Sequence, residues 1–143
     1  MSDQNKALAR RFLDVFNSGD LDVLDEVMAD DAIDHDTYNP FRGEGREGAR
    51  KTIAMYREAF PDLVMTVDAQ IAEGDMVATR WHAEGTHQGE LMGRAPTGNK
   101  ATTHGIAFDR IEDGMIAEGW VQWDALHLMQ VVGAVPDQEA AAH

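Results

Sequence analysis

Cysteine is absent from the chain. That excludes thiol catalysis, disulfides and cysteine-held zinc or iron–sulfur centres. Serine occurs only as Ser2 and Ser18. One lies at the terminus and one at a helix end, so acyl-enzyme chemistry on serine has no candidate. Basic residues are scarce: 12 Lys+Arg stand against 26 Asp+Glu, for a formal charge of −14. Such a surface repels phosphate backbones and anionic lipids, so neither nucleic acid nor a membrane is an expected partner. No apolar run is long enough to span a bilayer. The opening Met1-Ser2-Asp3-Gln4-Asn5-Lys6 lacks the basic start and apolar stretch of a signal peptide, so a cytoplasmic protein is expected. No Gly-x-Gly-x-x-Gly follows a strand pattern, which leaves no dinucleotide site. What remains is 143 residues with 43% hydrophobic content, enough for one folded domain over 1–143 with a full core.

The hydrophobic period is helical in the first third. Leu8, Phe12, Val15 and Phe16 share one face of a helix that Asn17-Ser18-Gly19 ends. Asp20 is placed to cap a second, short helix with Leu21, Leu24, Val27 and Met28 inward. A polar stretch runs from Asp30 to Gly45. A third helix is predicted over about 46–60, with Ala49, Ile53, Tyr56 and Phe60 as its stripe and Pro61 as its stop. Beyond Pro61 the period drops to 2. Leu63 to Ile71, Val77 to Ala83, Lys100 to Ile111 and Met115 to Trp123 read as strands. Glu73-Gly74-Asp75 and Glu112-Asp113-Gly114 are turn signals. The glycine-rich stretch 85–98 reads as a loop or bulged hairpin. A short helical segment is expected over 124–132, and the tail after Pro136 is expected to fray. Helices first and antiparallel strands after give an α+β fold, with helices segregated to one face of a curved, mainly antiparallel sheet.

Four pieces fall in a familiar order: Phe16-Asn17-Ser18-Gly19-Asp20, Ile33-Asp34-His35-Asp36, Gly85-Thr86-His87-Gln88-Gly89 and Trp120-Val121-Gln122-Trp123-Asp124. Together they resemble the SnoaL-like polyketide cyclases (the ester cyclases), over roughly residues 5–134. The resemblance implies the cone-shaped α+β barrel of the nuclear transport factor 2-like superfamily. It implies ring closure of a polyketide by intramolecular aldol condensation, with an aspartate as acid/base and no metal or organic cofactor. The family's aspartate near the end of the last strand matches Asp124, and its histidine on the preceding strand matches His104. The resemblance also implies pairing through the outer sheet face, as a homodimer or homotetramer.

The residues admit this chemistry on their own terms. An aldol closure needs a base for an acidic C–H, an acid for the new alkoxide, and an apolar pocket that excludes water. Asp124 follows Trp120 and Gln122 on one face of the last strand, where two indoles could desolvate it and raise its pKa. It also stands where the final helix needs an N-cap. His104 shares a face with Ile106 and Phe108 and is either a core histidine or the donor that stabilises an enolate. Four further side chains are candidate substrate contacts: His35 between two aspartates, His87 from the glycine-rich stretch, and Trp81 and Trp120 as flat walls. Gln122 adds an orienting amide. Each has a plainer reading as a solvated loop, a turn or core filling. A metal is not expected, because no helix carries a His-x-x-x-His or Glu-x-x-His pair and His82 and His87 fall on opposite strand faces. The expected ligand is a small apolar or aromatic carbonyl compound. The alternatives are a non-catalytic binder or an orphan relative, and ketosteroid isomerase-like proton transfer, for which Tyr56 is read as a packing residue rather than an oxyanion donor.

Overall fold

The computed structural model describes residues 2–135. The expected fraying after Pro136 lies outside them. Helix α1 (Ser2–Ser18) buries Ala9, Leu13 and Val15, with Leu8, Phe12 and Phe16 packed at the margins. It ends where Gly19 takes φ +71° and donates its N–H to Val15 O at 2.8 Å. Asp20 makes no side-chain cap bond. Its N–H donates instead to Ser18 Oγ at 3.1 Å. A 3₁₀ turn (Leu21–Val23) leads into α2 (Leu24–Val27). Helix α3 (Gly45–Ala59) buries Ile53 and stops at Phe60.

Five strands make one sheet in the order β1-β5-β4-β3-β2. They are β1 (Met28–Asp34), β2 (Val64–Glu73), β3 (Met76–Thr86), β4 (Lys100–Glu112) and β5 (Met115–Trp123). Strand β1 was not expected. Its sequence reads as a polar loop because it is an edge strand, with only Met28 and Ala32 buried. It runs parallel to β5, whereas the other pairs are antiparallel. Helix α4 (Ala125–Val131) closes the end of the sheet beside β4. The fold is therefore α+β, with four helices on a mostly antiparallel sheet among the described residues. No described helix is long and apolar enough to cross a membrane.

Several local contacts set how helices meet the sheet. The Asn17 amide acts as a surrogate strand residue: its Nδ2 donates to Met65 O at 2.9 Å and its Oδ1 accepts the Met65 N–H at 2.6 Å. Arg57 on α3 donates to the terminal carbonyls of α1 at Phe16 and Asn17. Bulges at Val67/Ala69 in β2 and Arg110/Ile111 in β4 bend the sheet around the helices. Buried residues gather in three clusters. One holds Leu24, Val27, Ile53, Val77 and Ile116, another holds Phe60, Leu91, Ala101 and Leu128, and a third packs Leu13 of α1 against Trp81 and Ala83 of β3.

Gly105 permits the tightest approach within the sheet. It pairs with Trp81 on β3 and with Trp123 on β5. A Cβ there would overlap the Trp81 ring and lie 2.9 Å from Trp123 Cβ. Gly105→Ala is expected to cost about 1–3 kcal/mol, the usual penalty of overpacking. Urea denaturation of the variant against wild type measures it, and an unchanged midpoint would show that the two indoles move apart freely.

Candidate active site

Alternation on the curved strands sends small residues inward. On β4 these are Ala101, Thr103, Gly105, Ala107 and Asp109; on β5 they are Gly119, Val121 and Trp123. With Trp81 and Ala83 of β3 they face α1 and α3 across a cavity of about 210 Å³. Phe12, Phe16, Tyr56, Phe60 and Trp123 supply aromatic walls. The acids that line it are Asp34, Asp36, Glu84 and Asp109, and no described Lys, Arg or His does so.

Asp34, Gly119 and Asp109 stand in register across β1, β5 and β4. The Asp109 carboxyl fills the space that Gly119 leaves: a Cβ on Gly119 would lie 3.1 Å from Asp109 Oδ1. Asp109 is 6% exposed, and no described residue donates a hydrogen bond to its carboxyl. Burial pushes this group up to about 7, and the charge of Asp34 adds to the rise. Asp34 is exposed at the cavity mouth and anchored. Its oxygens accept Asn39 Nδ2–H at 2.6 Å and the Asp36 N–H at 2.8 Å. Asn39, itself buried, is fixed by accepting the Phe41 N–H at 2.9 Å.

Asp36 lies deeper than its loop position suggests. Its Oδ1 accepts the Tyr38 N–H at 3.0 Å and the Trp123 Nε1–H at 3.4 Å. Burial raises its pKa, and these two hydrogen bonds oppose the rise. The Tyr56 phenol lines the same cavity and is raised by burial, with the charge of Asp36 adding to it. It therefore stays protonated and able to donate. Tyr56 also sets its ring edge-on to Trp123 at 6.5 Å, and Tyr38 does the same at 6.1 Å.

The structure brings Asp124 and His104 together, outside this cavity. The His104 N–H donates to Asp124 Oδ1 at 2.9 Å, and His104 Nδ1 stands 3.9 Å from Asp124 Oδ2. Both side chains are largely exposed, at 67% and 42%. Alternation is the reason. Val121 and Trp123 point inward, so Gln122 and Asp124 point out, and Gly105 inward puts His104 outward. Asp124 occupies the N-cap position of α4 without a side-chain cap bond. Gln122 is exposed on the same outer face. His35 is exposed too. It stacks on Trp120 with centroids 5.0 Å apart and pairs with Glu118 Oε2 at 2.7 Å.

Of the expected walls, Trp81 is buried and lines the cavity, and Trp120 reaches it from a partly exposed position. His87 is fully buried behind Phe60, with ring centroids 5.6 Å apart, and does not line the cavity. Its Nδ1 accepts the Thr97 N–H at 3.2 Å, and its Nε2 has no partner among the described residues. Asp109 and Asp36 were missed. The available signal was the run of small residues at Ala101, Thr103, Gly105 and Ala107, which marks an inner face kept open rather than filled. Among the described residues no three His, Asp or Glu side chains converge as metal ligands.

Comparison with known proteins supplies the remaining findings. The SnoaL-like polyketide cyclase family matches residues 6–131. TsrD from Streptomyces laurentii is 27% identical with a TM-score of 0.83, the match covering 94% of this chain and 98% of that one. IdmH from Streptomyces antibioticus, a proposed polyketide cyclase, is 35% identical with a TM-score of 0.76, over 91% and 99%. AclR from Streptomyces galilaeus, a proposed hydroxylase, is 30% identical with a TM-score of 0.80, over 99% and 92%. No curated protein matches.

The Asp109 carboxyl carbon is expected to titrate near pH 7 in NMR, and Asp34→Asn should lower that midpoint by removing a like charge. The folded state then binds more protons than the unfolded chain between about pH 4 and pH 7. Its stability contribution falls as pH rises through that window. Asp109→Asn should therefore gain stability over wild type at pH 8 and lose the advantage at pH 4, as read by urea denaturation. A midpoint near 4 for Asp109 would contradict both expectations.

Proposed function

We propose that this chain, which belongs to the SnoaL-like polyketide cyclase family, closes a ring by intramolecular aldol condensation with Asp109 as its acid/base and no cofactor. The observation that carries the reading is the buried, unpartnered Asp109 carboxyl facing an apolar cavity. With a pKa of about 7 it is part ionised at neutral pH, as a group that must both take and return a proton requires. The ionised carboxyl removes the proton from a carbon flanked by two carbonyls. The enolate carbon attacks a second carbonyl of the same molecule, and the alkoxide so formed takes the proton back from Asp109. Substrate and product are isomers, and the enzyme ends as it began.

The remaining parts have evident places. Tyr56, protonated and cavity-lining, donates to the enolate oxygen. Trp81 and Trp123 wall a flat skeleton and exclude water. The position of Tyr56 also favours a simpler outcome, a double-bond shift next to a ketone, which needs the same base and donor without ring closure. Product identity separates the two.

Assembly follows from the opposite face. Ile106 and Phe108 are each 50% exposed and Trp120 is 37% exposed, forming an apolar strip on the outside of the sheet. Two copies pair there in this reading. Phe108→Glu is then expected to yield monomers in light scattering, and an unchanged mass would sink that part.

The activity test uses ring-open polyketide esters. Turnover should rise with pH along one ionisation near 7, and Asp109→Asn should lose about 10²–10⁴-fold. Tyr56→Phe should fall about 10²–10³-fold in kcat, the range for an oxyanion donor. Retained turnover in Asp109→Asn with loss in Asp124→Asn would move the chemistry to the outer pair that the sequence suggested. Ligand binding without conversion, indifferent to Asp109→Asn, would make the protein a binder.

A further inference from the structure

The cavity holds acids and no base: Asp34, Asp36, Glu84 and Asp109 line it without any described Lys, Arg or His. Buried charges in proteins ordinarily carry a partner. Asp109, 6% exposed, has none among the described residues. Across β5 stands Asp34, in register through Gly119. Adjacent strands lie about 4.8 Å apart, so β4 and β1 are separated by roughly 9.6 Å at this level. The residue between them is glycine, so the Asp109 carboxyl leans over it towards β1, and the charge of Asp34 reaches Asp109 across it. Trp123 and Tyr56 line the same cavity further along.

We infer that the ligand carries a protonated amine on an apolar, carbonyl-bearing skeleton, and that this ammonium seats over Gly119 between Asp109 and Asp34. The inference rests on the acid–base reading of the same cavity and names its substrate class. An anionic ligand meets like charges in a low-dielectric space. A neutral ligand leaves Asp109 to be neutralised by its own proton. A cation supplies the missing partner, and indole and phenol rings favour cations at their faces. The exchange also serves the chemistry: an ammonium displaces the proton of Asp109 to solvent and leaves the carboxylate, the form a base needs. The charged group acting on Asp109 is Asp34 from β1; Asp36 and Tyr56 line the cavity further along, Glu84 stands at the far end of the β3–β4 ladder, and β5 presents glycine.

Three probes of one shape isolate the charge: indole-3-ethylamine, indole-3-ethanol and indole-3-acetate, titrated calorimetrically into the full chain at pH 8 and pH 6. The amine should bind at least tenfold tighter than the alcohol at pH 8, and the acetate weakest. Between pH 8 and pH 6 the amine's advantage should shrink about tenfold, with about one proton released per amine bound at pH 6. Asp109→Asn should abolish the preference, and Asp34→Asn should reduce it severalfold. An amine no tighter than the alcohol, including no binding by either, overturns the inference. So does a preference that survives Asp109→Asn, since the overall charge of the protein would then explain it. The two readings fail separately: catalysis on neutral esters through Asp109 can stand without amine preference, and amine preference can stand without turnover.

Discussion

The seating of the Trp81 ring on Gly105, beside Trp123, fixes the inner face of the curved sheet. Three adjacent strands bring Trp81, Gly105 and Trp123 into one row, and the Trp81 ring occupies the space that a side chain at 105 would take. Leu13 of α1 packs on that ring, while the inner face of β4 beside it carries small residues and leaves the cavity open. A second glycine repeats the device one strand pairing further on. At Gly119 the neighbours are carboxyls, and the vacated space holds Asp109 instead of a ring. One omission of Cβ shapes the cavity, and the other arms it.

Much of the fold was legible in the sequence because it rests on local periods. The stripes of α1 and α3, the alternation of β2 to β5 and the Asp113-Gly114 turn, where both residues take positive φ, follow from residue order alone. Strand β1 was not legible. Its pairing with β5 is long-range and parallel, and as an edge strand it buries too few side chains to show a period.

The site was half legible, and the reason is one of facing rather than composition. Ile106 and Phe108 form an apolar stripe, and an apolar stripe on a strand ordinarily marks the inside. Here it marks the outside, while the inside of the same strand carries alanine, threonine, glycine and one acid. Reading the stripe inward turned His104 and Asp124 toward a pocket they do not line. Trp81 lies on the inner face of β3, whereas Trp120 shares the outer face of β5 with Gln122 and meets the cavity only at its margin. His35 follows directly after the acid that does reach the mouth, just beyond the end of β1, and turns outward to Trp120 and Glu118.

The pairing of β1 with β5 also orders events in time. Ile33 meets Glu118, and Asp34 meets Gly119, across most of the length of the chain. A ribosome releases β1 well before β5, its neighbour in the sheet among the described residues. Until β5 emerges, the strand bearing Asp34 has no hydrogen-bonding partner, and closing so large a loop is slow relative to local hairpins. The hairpins of β2 to β5 can form among themselves, yet the row Asp34, Gly119 and Asp109 is completed by the final docking step. A nascent chain would thus acquire its shape before its chemistry, and partly folded molecules would carry the cavity without both of the acids that flank Gly119.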